Sequence, residues 1–308
     1  DAQDYIDTKN IERCTSDATG PDRAALLEDP LFSMTARIDL LRRAEHSIDI
    51  AYYTLHSGVS SDLFFAEVMK AADRGVEVRI LLDGMFHNLR GSLRSLRHDL
   101  SDHPNISLAL YEPFTLLAPW RWHNRLHDKL IIVDDTFLLT GGRNIGDKYF
   151  FHNHEDEPVY DRDVMIVSTH LDHPHSAAPQ AAAYFHTLWT HQYTEIQHPS
   201  SAGREAQRQE FIDAAQAQYQ IHPVHPDGYI DWIQRSVPTN RVTLIHNPLL
   251  RGNKSPHIWA DITRLIQQAE EEVVMQSPYI IAHRSMTTYV NAPPEAQVHL
   301  LSNSLASS

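Results

Sequence analysis

The amino-acid sequence predicts an α/β fold, in which helices alternate with the strands of a largely covered sheet. A helical pattern at residues 37–44 is followed by an alternating, strand-like segment at 47–52. The same order returns in a second helical pattern at 63–74 and a second strand-like segment at 76–82. This second strand is mostly apolar, which is typical of a buried strand. Helix, strand, helix, strand in this order indicates a layered α/β domain.

The rest of the chain suggests how the molecule is divided. We expect residues 1–30, which are polar and weakly patterned, to form an irregular leader. A first domain would follow at 31–200, then a connection at 201–240, where polar and turn-forming residues collect, and then a second unit at 241–308. Within the first domain the sequence predicts further strands at 106–111, 129–133 and 163–167, and a helix at 181–191.

The second unit repeats a pattern of the first. Leu40–Glu45 is echoed by Leu265–Glu270 at an offset of 225 residues, and a strand-like segment follows each of them. Val78–Asp83 is echoed by Val298–Asn303 at an offset of 220 residues. Two helix–strand units at nearly one offset indicate a duplicated domain, although amphipathic helices that precede strands also resemble one another in general.

Composition excludes several classes of protein. The chain has 308 residues, of which 42% are hydrophobic and 21% charged, as in globular proteins of one large or two ordinary domains. No apolar run approaches the roughly 18 residues that a membrane span needs. The net charge of −14 argues against a general attraction to nucleic acid or to anionic membranes, but a local basic patch could still bind either. The single cysteine, Cys14, excludes an internal disulfide.

The stretch that begins at His127 can bring three polar side chains together. If residues 129–133 form a strand, the side chains of His127 and Lys129 leave it on the same face, because they are two residues apart. The apolar residues of that strand anchor it in the core. The glycine pair at 141–142 then allows a tight turn, so that Asn144 can return to the same place.

An imidazole, an ammonium group and an amide donor suit a phosphodiester substrate. A histidine such as His127 can attack phosphorus and form a covalent intermediate. Lys129 and Asn144 can hold the non-bridging oxygens as charge shifts in the transition state. We expect Asp134 to belong to the same constellation, orienting the end of the strand or its neighbours rather than reacting.

This arrangement resembles the signature of the phospholipase D superfamily, the HKD motif: His-x-Lys, four residues, Asp, six residues, Gly-Gly or Gly-Ser, x, Asn. The positions that match are His127, Lys129, Asp134, Gly141, Gly142 and Asn144. More narrowly, the sequence resembles the bacterial cardiolipin synthase branch, through residues 44–53, 74–79, 124–129 and 141–147. The resemblance implies a phospholipase D-like domain, with a mixed β-sheet flanked by helices on both faces, and the start of a second similar repeat.

The resemblance also implies that each active site combines two such motifs, one per repeat or one per subunit. One histidine attacks, and the other protonates the leaving alcohol. An acidic residue after Asn144 orients the histidine, and Asp161 is the position that we match to it, with Asp163 as the fallback. The sequence contains one HKD motif, and the offset of the repeat places a second one beyond Ser308. We therefore expect either a longer chain or a pair of copies, a homodimer.

Two groups of neighbouring residues are candidates for binding. We expect substrate contacts from residues of the motif and its flanks: Arg125, Gly142 and Arg143. The two arginines could equally pair with nearby carboxylates. Tryptophans beside an arginine suit a lipid–water interface, so we expect membrane contact from Leu117, Trp120 and Trp122. Simple packing of that loop onto the domain is the equal alternative.

We expect no metal and no cofactor. His123 and His127 are four residues apart and could suggest a pair of zinc ligands, but His127 begins the phosphodiester motif. Residues 152–157, a polar cluster with two histidines and three acidic residues, are interpreted as a solvated loop near the site.

The leading hypothesis is a phosphatidyltransferase or phospholipase of the cardiolipin synthase type, which acts on phospholipid phosphodiesters through a phosphohistidine. Its partners would be a phospholipid substrate and an alcohol acceptor. We expect a bacterial protein peripheral to the inner membrane, or periplasmic after removal of a signal. The alternatives are a nuclease or other phosphodiesterase of the same superfamily, which the net charge disfavours, and a half-enzyme that serves as a non-catalytic interaction module.

Overall fold

The computed structural model describes residues 18–116, 122–151, 159–198, 203–222, 224, 228–251, 256–277 and 296–302. These residues fall into two compact units, which divide after Thr243. The first unit contains the whole HKD motif. No helix in the described ranges is long and apolar enough to cross a membrane.

The first unit is built on a mixed nine-stranded sheet. In spatial order its strands are β8 (Thr194–Ile196), β4 (Ile106–Tyr111), β3 (Glu77–Asp83), β2 (Ser47–Tyr52), β5 (Lys129–Val133), β6 (Phe137–Gly141), β7 (Asp163–Ser168), β1 (Asp22–Leu27) and β9 (Val237–Pro238). Strands β2, β3 and β4 run parallel to one another. The other neighbouring pairs are antiparallel, so that the sheet changes direction between β2 and β5.

Helices pack on the sheet, and its central strand is fully buried. They are α1 (Pro30–Arg43), α2 (Val59–Asp73), α3 (Arg94–Ser101), α4 (Ala177–Trp189), α5 (Glu205–Gln218) and α6 (Trp232–Arg235). Helix α1 packs on α2, and α2 on α5, whereas α4 contacts β2, β5, β6 and β7. All five residues of β5 are buried. The apolar pattern that predicted this strand therefore marks a central strand with helices on both of its faces.

Polar side chains define where the first two helices begin. The Asp29 carboxylate accepts a hydrogen bond from the Phe32 N–H, 2.6 Å away, and Pro30 occupies the first turn of α1. The start of α2 has a cap from elsewhere in the chain: Asp147 accepts hydrogen bonds from the N–H groups of Val59, at 3.0 Å, and Ser60, at 2.7 Å. The segment that follows Asn144 is thereby tied to the loop after β2.

Two predicted boundaries are wrong. Residues 22–27 form strand β1 instead of the end of an irregular leader, and they pair with β7 along their whole length. A strand with a weak pattern of its own is stabilised here by hydrogen bonds to a distant partner. The predicted connection at 201–240 contains α5, which packs on α2 and so belongs to the first unit.

The described part of the second unit is a helix followed by two parallel strands: α7 (His257–Gln267), β10 (Glu272–Gln276) and β11 (Gln297–Leu301). In this strand pair Val273 lies opposite Val298. In the first unit the corresponding parallel pair, β2 and β3, places Ile48 opposite Val78. The sequence offsets of 225 and 220 residues align these same two pairs.

Candidate active site

His127 and Lys129 lie together at the start of β5. Lys129 is the first residue of the strand and is buried, whereas the His127 side chain, two residues earlier, is exposed. The Lys129 Nζ lies 3.3 Å from Nδ1 and 3.4 Å from Nε2 of the His127 ring, and it donates to the His127 carbonyl oxygen at 2.9 Å. An ammonium group therefore touches an imidazole that solvent and substrate can reach.

Asn144 is brought back by the β5–β6 hairpin. Leu130 pairs with Thr140, so the end of β6 lies beside Lys129. The buried Asn144 amide donates from Nδ2 to the Tyr149 hydroxyl at 3.1 Å. Its Oδ1 is also buried, but it has no hydrogen-bond partner among the described residues. An unsatisfied buried polar atom is costly, and it commonly marks a functional position.

Asp161 covers the glycine of the motif. A Cβ atom on Gly142 would collide with both carboxylate oxygens of Asp161. With glycine at this position, the carboxylate has room to lie against the backbone of the motif. The negative charge of Asp161, like that of Asp128, raises the pKa of Lys129 against the effect of burial. The Asp161 carboxylate is thus close enough to Lys129 for its charge to act on the ammonium group.

Two residues that the sequence did not single out complete the site. The Tyr53 ring, just after β2, lies 4.7 Å from the His127 ring between centroids and 5.6 Å from the Lys129 Nζ. The Phe86 ring packs against Tyr53, with 5.3 Å between the ring centroids. Tyr53 and Phe86 thus form an aromatic wall beside His127. Asp83, at the end of β3, is the second missed residue.

Asp83 forms hydrogen bonds to two loops beside the site, the loop after β3 and the loop before β5. Its buried carboxylate accepts hydrogen bonds of 2.8–3.2 Å from the N–H groups of Met85, Phe86 and Leu126 and from the Arg125 guanidinium. Because Leu126 precedes His127, these bonds fix the approach of the chain to β5. The contact between Asp83 and the loop at Arg125 and Leu126 depends on the order of the strands in the sheet. No local sequence pattern predicts it.

The electrostatic surroundings favour a neutral imidazole beside a cation. Partial burial and the positive charge of Lys129 lower the pKa of His127, against an opposing effect of Asp83. Burial lowers the pKa of Lys129 to about 8. Near pH 7, His127 is therefore mostly deprotonated, as a nucleophile must be, while most Lys129 side chains keep their charge.

Asp134 lies outside this site, at the other end of β5. Asp128 and the five residues of β5 separate it from His127, and a strand of five residues spans roughly 16 Å. The Asp134 carboxylate accepts hydrogen bonds of 2.8–2.9 Å from the N–H groups of Glu45, His46 and Ser47. Asp134 thus holds the chain segment that enters β2, and the expectation that it belongs to one constellation with His127 and Lys129 is wrong, because it lies at the far end of the strand.

The two arginines expected to bind substrate are engaged elsewhere. Arg143 is buried, pairs with Asp163 at 3.1 Å and donates to the carbonyl oxygens of Leu27 and Glu28. Substrate cannot reach it in this structure, so we assign it to the fold. Arg125 pairs with Asp83 at 3.2 Å. Of the two interpretations that the sequence left open, the structure shows pairing with carboxylates.

The remaining candidates are only partly described. Leu117, Trp120 and residues 152–157 lie outside the described residues. Trp122 is half-buried, stacks on Phe114 at 5.4 Å and donates to the Thr115 carbonyl oxygen at 3.0 Å. Within the described ranges no group of three or more His, Cys, Asp or Glu side chains could hold a metal ion.

Comparison with known proteins identifies relatives of the first unit. A family model described as "Cardiolipin synthase, PLD-like domain" matches residues 38–189. Cardiolipin synthase C of Escherichia coli is 39% identical over 151 residues, which are 46% of this chain and 31% of that protein. Cardiolipin synthase 2 of Staphylococcus epidermidis is 31% identical over 115 residues, 36% of this chain and 22% of that protein.

The fold is similar to that of a solved lipid enzyme. Phosphatidylserine synthase from Haemophilus influenzae superposes with a TM-score of 0.57 at 17% identity, over 91% of this chain and 61% of that one. At this identity the likeness concerns the fold alone. The matches to the curated relatives span about a third or less of those relatives' own length.

Proposed function

Because the chain belongs to the phospholipase D superfamily, with a domain of the cardiolipin synthase type at residues 38–189, we propose that it transfers or hydrolyses the phosphatidyl groups of phospholipids. The observation that carries the proposal is the contact between the exposed imidazole of His127 and the buried ammonium group of Lys129, 3.3 Å away. This pair supplies a nucleophile and a cation at one point, as attack on an anionic phosphodiester requires.

The reaction divides into two displacements. A nitrogen of His127 attacks phosphorus, the bond to the leaving alcohol breaks, and a phosphatidyl-histidine forms. Lys129 holds a non-bridging oxygen during this step, and Asn144 is our candidate for holding another. A second alcohol then gives its proton to the group that protonated the leaving alcohol, attacks phosphorus and breaks the bond between phosphorus and His127. If water takes the place of that alcohol, the product is phosphatidic acid.

The leaving alkoxide must receive a proton, and we assign this step to a histidine of a second HKD motif. The matched registers Ile48↔Val78 and Val273↔Val298 support a duplicated domain, in which a longer chain would provide that histidine. A second copy of this chain in a homodimer is the other source. Asp161, which lies against Gly142 of the motif, is our candidate for the acidic residue that orients the histidine.

Phospholipid fits this site better than nucleic acid does. The net charge of −14 disfavours a polyanion, and the relatives with the highest identity among the named ones are cardiolipin synthases. We propose a bacterial protein that works at the periphery of the inner membrane, with Leu117, Trp120 and Trp122 as candidate membrane contacts. A nuclease and a non-catalytic interaction module are the competing functions.

A mass-spectrometric lipid profile tests the proposal. Cells that express the natural gene should contain more cardiolipin than cells that express the same gene with His127→Ala. A rise in phosphatidic acid instead would indicate hydrolysis. If neither lipid depends on His127, the proposal is refuted, and cleavage of a nucleic-acid oligonucleotide by the same pair of proteins decides whether the nuclease alternative holds.

A further inference from the structure

The segment between Phe86 and His98 is basic in an acidic protein. It contains three arginines and two histidines and no acidic residue, whereas the whole chain carries a net charge of −14. Each arginine directly follows a leucine: the pairs are Leu89-Arg90, Leu93-Arg94 and Leu96-Arg97. The leucines are spaced by four and three residues, and the segment is helical only from Gly91 onward, in a 3-10 turn that leads into α3.

The structure shows what this spacing achieves. Leu89, Leu93 and Leu96 are 1%, 6% and 4% exposed, and they anchor the segment in the core. Arg90 and Arg94 are exposed, and neither guanidinium forms an ion pair with any of the described residues. Arg97 is half-buried, and it donates a hydrogen bond to the neutral amide of Gln197. The buried leucines therefore hold a small basic surface in place, formed by Arg90, Arg94 and Arg97.

The acidic residues of α3 do not neutralise this surface. Asp99 is paired with Arg204 at 2.6 Å, and Asp102 is paired with Arg208 at 3.1 Å. Both of these arginines come from α5 or its N-terminal cap, so the acids at α3 are already balanced. The charges of Arg90 and Arg97 also contribute, after burial, to lowering the pKa of the nearby His87 to about 4. Positive potential is thus concentrated here.

The basic surface adjoins the active site. Phe86, whose side chain is 42% exposed, stands at the start of the segment and packs against Tyr53. Tyr53 in turn lies against His127. An exposed aromatic ring beside unpaired arginines is the combination by which proteins attach to an anionic lipid interface, since the ring enters the headgroup region and the cations meet the phosphates.

We infer that the surface formed by Phe86, Arg90, Arg94 and Arg97 docks the protein on an anionic phospholipid bilayer, beside the opening to His127. The inference rests on the proposed function in so far as the lipid surface would also carry the substrate. The neighbouring active site selects the partner: Phe86 and Tyr53 place this surface beside His127, for which we propose a phospholipid substrate, and a bilayer presents that substrate among many phosphates in one plane.

Co-sedimentation with vesicles tests the inference without any turnover. The 308-residue chain is mixed with vesicles of phosphatidylcholine alone, or of phosphatidylcholine with phosphatidylglycerol, at low and high NaCl. We expect binding to the anionic vesicles that weakens as salt is added. The double variant Arg90→Glu/Arg94→Glu should bind them at least roughly tenfold more weakly, because each exposed arginine contributes several-fold to affinity for an anionic surface.

Two control variants separate the effect of charge at this surface from the loss of the arginine side chains and from a general change in net charge. Arg90→Lys/Arg94→Lys keeps the charge and should retain most of the binding. Arg241→Glu reverses a charge at an exposed residue beyond β9, at the opposite edge of the sheet from α3, and should bind as the unmodified protein does. Since all these positions are exposed, circular dichroism and the melting temperature should stay unchanged.

The outcomes separate the two proposals. If the Arg90→Glu/Arg94→Glu variant binds anionic vesicles as well as the unmodified protein, the inference is overturned. It is also overturned if that variant loses affinity for a DNA oligonucleotide while vesicle binding persists. If vesicle binding depends on the arginines but no lipid depends on His127 in cells, the docking surface stands and the proposed reaction fails.

Discussion

Asp161 and Asp163 lie two residues apart but have different surroundings, so their asparagine variants should fail in different ways. The Asp163 side chain is completely buried, and its Oδ2 lies 3.0 Å from Arg37 and 3.1 Å from Arg143. It also accepts a hydrogen bond from the Ser33 hydroxyl at 2.6 Å. Burial alone would raise the pKa of Asp163, but the two arginines and Ser33 hold it below its ordinary value.

The Asp163→Asn variant leaves Arg37 and Arg143 buried, at 0% and 1% exposure, without their counter-charge. Breaking a buried ion pair by removing one partner costs about 3–5 kcal/mol. For a unit of this size, 1 kcal/mol lowers the melting temperature by about 2–4 °C. We therefore expect Asp163→Asn to lower it by roughly 6–20 °C.

The matched control is Asp161→Asn, which changes a half-buried carboxylate beside Gly142. We expect its free energy of unfolding to stay within about 1 kcal/mol of the unmodified protein, while turnover of phospholipid falls. Urea denaturation and calorimetry measure both variants. If Asp163→Asn unfolds like the unmodified protein but has lost activity, Asp163 is the orienting residue, and the proposed division of roles between the two carboxylates is wrong.

Three further predictions concern the site and its support. Affinity for a soluble phosphodiester, glycerophosphoglycerol, should fall as pH rises through about 8, because Lys129 then loses its charge. Calorimetric titration measures this affinity. The Lys129→Arg variant, which stays charged, should show no such fall. Tyr53→Leu should lower turnover roughly tenfold, because the His127 ring is then held less firmly. Tyr53→Phe keeps the ring and should stay near the unmodified rate. Equal rates for the two variants would refute the proposal that the Tyr53 ring positions His127. Asp134→Ala should cost about 2–4 kcal/mol in urea denaturation and leave the pH profile of the folded protein unchanged; an altered profile would return Asp134 to the chemistry.

Sequence patterns predicted those parts of the molecule that local chemistry determines. The apolar run after His127 marked β5, and the spacing of two residues placed His127 and Lys129 on one face. The two offsets of the repeat matched Val273 with Ile48 and Val298 with Val78, and these residues lie opposite each other in the two strand pairs of the structure. These features depend on periodicity along the chain, which a single sequence displays.

The remaining features depend on contacts between distant segments. Strand β1 forms because β7 pairs with it, and Arg143 is buried because Asp163 and the carbonyl oxygens of Leu27 and Glu28 meet it from other segments. Tyr53 reaches His127 only because β2 and β5 are neighbours in the sheet. No local pattern contains the strand order, so a motif-adjacent arginine looked like a substrate ligand and a tyrosine beside the site went unnoticed.

The central claim is that His127 carries the phosphatidyl group, and trapping that adduct tests it most directly. The protein expressed from the natural gene is incubated with phosphatidylglycerol, quenched in alkali, which preserves phosphoramidates, and its peptides are analysed by mass spectrometry. We predict a phosphatidyl adduct on His127 that the His127→Ala variant lacks. Turnover of the lipid with no adduct on His127, or with an adduct on another residue, would contradict the claim.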